Sequence, residues 1–125
     1  WLAHLRHAAT ATATVVDLSD SPGLTDLGLA LVAPLRRARV VRLSRCPALR
    51  DRAVGAVAMS HGLQELDLAC CPGLTDAAVQ NVAHLTTLTH LNLGGCHLLR
   101  DEAARCIASL SRLRVLDISR CPRIT

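Results

Sequence analysis

A 25-residue repeat constrains the fold of this chain more than any other feature of the sequence. Its clearest copy runs from Leu63 to Asp76, with leucines at the first, fourth and sixth positions and a cysteine at the ninth. Steps of 25 residues through the sequence give the column Ser21, Cys46, Cys71, Cys96 and Cys121. Fixed periods of about 20 to 50 residues are typical of solenoids, in which each repeat packs on its neighbours.

An aspartate column and an apolar stripe predict a helix in each repeat. The position five residues after the cysteine column holds Asp26, Asp51, Asp76 and Asp101. Because aspartate suits the positive end of a helix, we expect these residues to cap the helices that follow them. Apolar residues three and four apart, such as Val79, Val82 and Ala83, predict one buried helix face. Pro34 predicts that the first helix is short or distorted.

Apolar and polar residues alternate in the middle of each repeat, which is the period of a β-strand. One short strand per repeat, always in the same direction, predicts a parallel sheet with a return segment after each strand. We therefore predict an α/β right-handed solenoid of about five repeats over residues 13–125, the last incomplete. Its curved parallel sheet is expected on the concave face, with short helices outside. Residues 1–12 are interpreted as the helical remnant of a preceding repeat or upstream element.

The composition argues against nucleic-acid and membrane partners. Fourteen arginines, no lysine and ten acidic residues give a formal charge of +4. The arginines are scattered along the chain, and the aspartate column partly balances their charge. No aromatic residues are interleaved with them for base stacking, so we expect no nucleic-acid partner. No apolar run approaches the roughly 20 residues that cross a membrane, and no signal peptide is recognisable.

The cysteine column is interpreted as a row of buried thiols, with no metal or other cofactor expected. Zinc needs four ligands that converge as a tetrahedron, whereas one thiol per repeat gives a line, and no Cys-x-x-Cys spacing occurs. Parallel side-chain directions disfavour disulfides between neighbouring repeats. Free thiols favour a reducing compartment, hence the cytoplasm, the nucleus or both. Cys70 lies outside the column and is expected to be exposed.

Catalysis has little support in the sequence. No motif brings together a nucleophile, a base and an orienting acid. An aspartate that recurs in four repeats indicates architecture, because a catalytic residue is normally needed once. We therefore expect no enzymatic activity, and an enzyme or metal protein built on the cysteines is the weakest of the functional classes.

The candidate binding surface consists of the outward-facing strand positions and the rim that follows each strand. We predict a partner-binding strip on the concave face formed by Asp17, Arg42, Arg45, Glu65, Asp67, His90, Asn92, Asp117 and Arg120. An equally supported interpretation is that Asp17, Arg42 and Asp67 pair across neighbouring strands and serve the scaffold. Gly94 and Gly95 are expected to leave a shallow depression where a partner side chain inserts.

The motif Leu-x-x-Leu-x-Leu-x-x-Cys-Pro-x-Leu-Thr-Asp resembles the cysteine-containing subtype of the leucine-rich repeat. The resemblance covers essentially residues 13–125, although Ser21 replaces the cysteine and His97 the proline in one repeat each. Such repeats are similar to those of F-box/leucine-rich-repeat proteins, whose solenoid selects substrates for a cullin–RING ubiquitin ligase. The resemblance implies a protein–protein recognition module that holds a protein substrate or regulatory partner.

Two functional interpretations follow from the resemblance. In the first, the segment is the substrate-binding part of an F-box-type (SCF) ubiquitin ligase subunit, and a region outside it docks the ligase adaptor. In the second, it is a non-ligase adaptor or regulatory scaffold that uses the same face without ubiquitin chemistry. A compact helical F-box upstream of Trp1 would favour the first; another domain or more repeats would favour the second.

Overall fold

Strands and helices alternate along the chain in the computed structural model, which describes residues 14–31 and 36–125. In chain order the elements are β1 (Val15–Asp17), α1 (Asp26–Ala30), β2 (Val40–Arg42), α2 (Asp51–Val57), β3 (Glu65–Asp67), α3 (Asp76–Val82), β4 (His90–Asn92), α4 (Asp101–Ala108) and β5 (Val115–Asp117). The helical remnant predicted for residues 1–12 lies outside the described residues, as does Pro34. Helix α1 has five residues whereas α2 to α4 have seven or eight, which confirms that the first helix is short.

The five strands form one parallel sheet in the order β1-β2-β3-β4-β5. Neighbouring strands pair in a register of 25 residues, so that the middle residues Val16, Val41, Leu66, Leu91 and Leu116 are successive partners. Strands of only three residues have few hydrogen bonds of their own, and each therefore depends on the repeat before and after it. The predicted parallel sheet with alternating helices is confirmed.

The core lies between the sheet and the helices and is built from equivalent positions in every repeat. Leu66 and Leu91, the middle residues of β3 and β4, are 2% exposed. The helices close the core with the apolar stripe that their sequences predict, such as Val79 and Val82 on α3. Leu116 in β5 is 41% exposed because β5 is the last strand of the sheet. Each layer is therefore sealed by the next.

The cysteine column forms a ladder of buried thiols. Each thiol donates a hydrogen bond to the carbonyl oxygen 28 residues earlier at 3.1 to 3.2 Å, in the pairs Cys46–Leu18, Cys71–Leu43, Cys96–Leu68 and Cys121–Leu93. Burial raises the pKa of Cys71 to about 12 and that of Cys96 to about 11, so both stay protonated at neutral pH. The predicted row of buried thiols is confirmed.

The aspartate column forms a second ladder between repeats. Each carboxylate accepts a hydrogen bond from the backbone N–H 24 residues later at 2.7 to 2.8 Å, in the pairs Asp26–Arg50, Asp51–Thr75, Asp76–Arg100 and Asp101–Thr125. Two of these carboxylates also accept the threonine hydroxyl, at 2.6 Å for Asp51 and 2.8 Å for Asp101. The backbone N–H and hydroxyl of Thr125 hold the pKa of Asp101 below its ordinary value.

The prediction that these aspartates lie at the positive ends of the helices is confirmed, but the prediction that they cap their own helices is wrong. Each aspartate is the first helical residue, and the N-cap position belongs to the residue before it. Thr25 and Thr75 fill that position and accept backbone N–H groups of their own helices through the hydroxyl. The carboxylate one residue later is directed to the next repeat, where it fixes the residue that begins the following helix.

Leu91→Ala is expected to lower the free energy of unfolding by about 2–5 kcal/mol, because the side chain is fully enclosed and its removal leaves a cavity. Urea denaturation followed by circular dichroism measures the change. Leu27→Ala is the matched control, since Leu27 is 75% exposed on α1, and its effect should stay within about 0.5 kcal/mol. Equal effects of the two substitutions would contradict the core assignment.

Asp51→Ala should destabilise the protein by about 1–2 kcal/mol, because the backbone N–H and the hydroxyl of Thr75 both lose their acceptor. Asp51→Asn keeps one carbonyl oxygen and should lose less. The control is Glu102→Ala, which removes an exposed ion pair with Arg105 on a single helix and should change stability by less than about 0.5 kcal/mol. Thermal melts that rank Glu102→Ala at or above Asp51→Ala would refute the inter-repeat role of the aspartate.

Candidate partner-binding face

The open face of the sheet is the face turned away from the helices, and the first and third residues of each strand form it. Those residues are Val15, Asp17, Val40, Arg42, Glu65, Asp67, His90, Asn92, Val115 and Asp117. A hollow of about 320 Å³ lies over strands β2 to β5. The predicted site residues that line this hollow are Arg42, Glu65, Asp67, His90, Asn92 and Asp117. The structure thus brings six of the nine predicted residues together.

The third residue of four strands is held by a local hydrogen bond. Its side-chain oxygen accepts the backbone N–H two residues later at 2.8 to 3.1 Å, in the pairs Asp17–Ser19, Asp67–Ala69, Asn92–Gly94 and Asp117–Ser119. The side-chain and backbone hydrogen bonds from Ser119 also hold the pKa of Asp117 below its ordinary value. These side chains are therefore fixed in position and present acceptor groups on the open face.

Arg42 approaches the carboxylate of Glu65 on the neighbouring strand at 4.0 Å. The Nδ1 atom of His90 lies 3.8 Å from the other oxygen of Glu65 and 2.8 Å from the hydroxyl of Thr89. The interpretation that Arg42 pairs with Asp17 and Asp67, which lie opposite it on the neighbouring strands, is wrong. The longer side chain of Glu65, placed diagonally on β3, reaches Arg42 instead. Pairs as exposed as these contribute at most about 1 kcal/mol, and a partner can rearrange them.

Arg45 and Arg120 lie at the rim that follows the strands and do not line the hollow. This rim position has a positive φ in every repeat, with values of 59° at Asp20, 55° at Arg45, 57° at Cys70, 76° at Gly95 and 56° at Arg120. Arg45 donates through Nε and Nη2 to both carboxylate oxygens of Asp20, the second at 3.0 Å. That pairing lowers the pKa of Asp20. Arg45 therefore joins two repeats. Asp17, the remaining predicted residue outside the hollow, lies beside it on the open face at β1.

The depression predicted at Gly94 and Gly95 is absent, and both glycines are buried. A Cβ atom added to Gly94 would lie 3.2 Å from side-chain oxygens of Asn92, Asp117 and Ser119. Polar side chains therefore close over this glycine. Because Gly94 has no side chain, the polar side chains of its own and the next repeat can pack against its backbone. It offers no space to a partner.

Two valines that line the hollow were absent from the predicted strip. Val40 and Val115 occupy the first position of β2 and β5, and Val115 is 52% exposed. Their signal in the sequence is an apolar residue at an outward strand position, where the alternation calls for a polar one. They place apolar contact area on both sides of the acidic centre.

The thiols offer little chemistry on this face. All six cysteines are free, and Cys70 is the exposed one among them. Within residues 14–31 and 36–125, no three His, Cys, Asp or Glu side chains are grouped so that they could hold a metal ion. Burial and the nearby carboxylates of Glu102 and Asp76 raise the pKa of the half-buried Cys106.

Iodoacetamide at about pH 8 should modify Cys70 in the native protein well before the ladder thiols, because Cys71 and Cys96 are buried and protonated at that pH. Peptide mapping by mass spectrometry should show the ladder thiols reacting at least about a hundredfold more slowly until urea is added. Cys70→Ser should remove the fast reaction. Labelling of Cys71 at the rate of Cys70 in the native state would contradict the buried ladder.

Two of the repeats match a known family. A family model described as Leucine Rich repeat matches residues 60–83 and 84–108. The fold is a leucine-rich-repeat solenoid. Fourteen chains of solved structures match the protein. One of them, titled Leiomodin-1 Actin-Binding Site 2 (ABS2), has a TM-score of 0.64 and 20% identity, and the match covers 93% of this chain and 77% of that one.

At that identity the leiomodin-1 structure shows a shared fold and nothing about partners. No curated protein matches the sequence. Leucine-rich repeats are generally binding modules without catalytic activity, which supports a role in protein–protein interaction. Neither comparison points to an F-box or to a ubiquitin ligase. In the described part of the chain, none of the helices has the length and apolar character that crossing a membrane requires.

Proposed function

We propose that this protein recognises a protein partner through the open face of its leucine-rich-repeat sheet. The observation that carries this proposal is the distribution of its ten acidic residues. Six of them serve the scaffold: four form the aspartate ladder, Asp20 pairs with Arg45, and Glu102 pairs with Arg105. The other four all lie on the open face, namely Asp17, Glu65, Asp67 and Asp117.

The charge of the open face is opposite to that of the whole chain. The strands present four carboxylates and one arginine there, whereas the chain carries a formal charge of +4. Complementary charges steer association and select partners, so this face favours a basic partner surface. Val40 and Val115 add apolar contact on either side of the acidic centre, which matches interfaces that combine an apolar anchor with charged groups.

We further propose that the segment selects substrates for an F-box-type (SCF) ubiquitin ligase. The support is the cysteine-containing repeat signature, Cys-Pro-Gly-Leu-Thr-Asp in the copy at residues 71–76. The solenoid would hold the substrate rigidly while a region outside the segment docks the ligase adaptor. The buried free thiols are consistent with the reducing cytoplasm or nucleus, where this activity takes place.

The second candidate is a non-ligase adaptor or regulatory scaffold, which the leucine-rich-repeat match supports equally well. Affinity purification of the full-length protein from its own cells separates the two. Recovery of a cullin–RING scaffold together with a partner that accumulates on proteasome inhibition supports the ligase role. Recovery of the same partner without the cullin scaffold supports the adaptor.

Asp67→Arg should reduce partner capture by about tenfold or more, because it reverses a fixed charge at the centre of the open face. Quantitative mass spectrometry of proteins retained by immobilised wild-type and variant protein measures the effect. Glu102→Arg makes the same charge change on α4 and should leave capture unchanged. If every retained protein survives Asp67→Arg, the open face is not the recognition surface.

A further inference from the structure

The edge of the sheet where the strands begin is basic and carries no carboxylate. It consists of the residues directly before β2 to β5, which are residues 36–39, 61–64, 86–89 and 111–114. The arginines of this N-terminal edge are Arg36, Arg37, Arg39, Arg112 and Arg114, and it contains no aspartate or glutamate. A hollow near the start of α4 also contains arginines, but it differs from this edge in having carboxylates beside them. Its lining combines Arg100 and Arg123 with Asp76, Asp101 and Glu102.

A groove of about 720 Å³ runs along this edge. Arg39 lines one end of it and Arg112 and Arg114 line the other, with Gln64 and Thr89 between them. Gly62 also lines the groove, and a Cβ atom added there would meet no atom within 4 Å. The arginine groove shares no lining residue with the hollow on the open face.

Within residues 14–31 and 36–125, no side chain of the scaffold pairs with the arginines that line the groove. Arg39, Arg112 and Arg114 are exposed. Among the described residues they form no ion pair and no side-chain hydrogen bond, in contrast to Arg45 and Arg105, whose carboxylate partners lie within 3 Å. A guanidinium is charged at every physiological pH and offers five N–H donors that suit carboxylate or phosphate oxygens. Their donors are therefore available to an external anion.

The register of the sheet sets the distance between the two ends of the groove. The backbone N–H groups of Gln64, Thr89 and Arg114 each donate at 2.8 Å to the carbonyl of the equivalent residue one repeat earlier, beginning with that of Arg39. Arg39 and Arg114 are thus three strand steps apart, or about 14 Å at about 4.8 Å per step. An extended peptide advances about 3.3 Å per residue, so acidic side chains four residues apart span about the same distance.

We propose that the arginine groove binds an extended acidic segment of a protein partner. Two anionic side chains four residues apart pair with Arg39 at one end and with Arg114 and Arg112 at the other. Guanidinium groups bind carboxylate or phosphate in a bidentate manner, so glutamate, aspartate and phosphoserine share the required chemistry. Single-stranded nucleic acid is the less favoured occupant, because no aromatic side chain lines the groove for base stacking.

Fluorescence anisotropy at low ionic strength tests this proposal with labelled peptides of roughly nine residues, in a glycine–serine background. One peptide carries two glutamates four residues apart, a second carries them adjacent, and a third carries glutamines. A phosphoserine version of the first identifies which anion binds more tightly. We expect the four-residue spacing to bind at least about threefold more tightly than adjacent glutamates, and the glutamine peptide not to bind.

Arg39→Gln and Arg114→Gln should each weaken binding of the four-spaced peptide by about tenfold, and the double variant by more. The matched control is Arg52→Gln, an exposed arginine on α2 that lies outside the groove. Thermal melts should be unchanged for all variants, since these side chains are exposed. An equal loss with Arg52→Gln, indifference to spacing, or binding of no peptide would overturn the proposal. So would tighter, Arg39-dependent binding of a short oligothymidylate, which would make the groove a nucleic-acid site.

Discussion

Hydrogen bonds between neighbouring repeats, which recur at the same places in successive repeats, hold the whole solenoid in register. Three sets run in parallel: the backbone bonds of the three-residue strands, the thiol bonds that reach back 28 residues, and the aspartate bonds that reach forward 24 residues. All three sets join one repeat to the next. A repeat alone would therefore lack these bonds and could not offset the conformational entropy lost on folding. The buried leucine layers depend on this register, because a shift of one residue would turn each strand's core side chain outward.

Two surfaces in the described part of the chain lie outside these ladders, and they are the surfaces that we propose for recognition. The scaffold neutralises Asp20 and Glu102 with arginines and uses the aspartate column to bind backbone N–H groups. What is left is an acidic open face over the strands and a basic edge where the strands begin. These surfaces share no lining residue, so one solenoid can present opposite charges to two parts of a partner or to two partners. Such polarity adds orientation to binding as well as affinity.

The periodic features of the fold were predictable from sequence, while contacts between repeats were only partly so. Column spacing predicts the strands, the parallel register and the burial of Cys71, since each follows from a period within the chain. The role of Asp51 was not predictable, because a helix start offers two positions for an acidic residue and its acceptor role depends on the next repeat. The same limit applies to the open face: the pairing of Arg42 with Glu65 and the cover over Gly94 depend on side-chain lengths across neighbouring strands.

The constant offsets of the thiol and aspartate bonds have a consequence for how such a chain changes during evolution. Removing or duplicating a whole repeat from the middle leaves every thiol with a carbonyl acceptor and every aspartate with an N–H donor, because the groups on either side of the junction are equivalent. A single inserted residue within the strand–turn segment has no such neutral outcome and breaks several bonds at once. The length of the solenoid, and with it the reach of its two charged surfaces, is therefore free to vary in steps of one repeat.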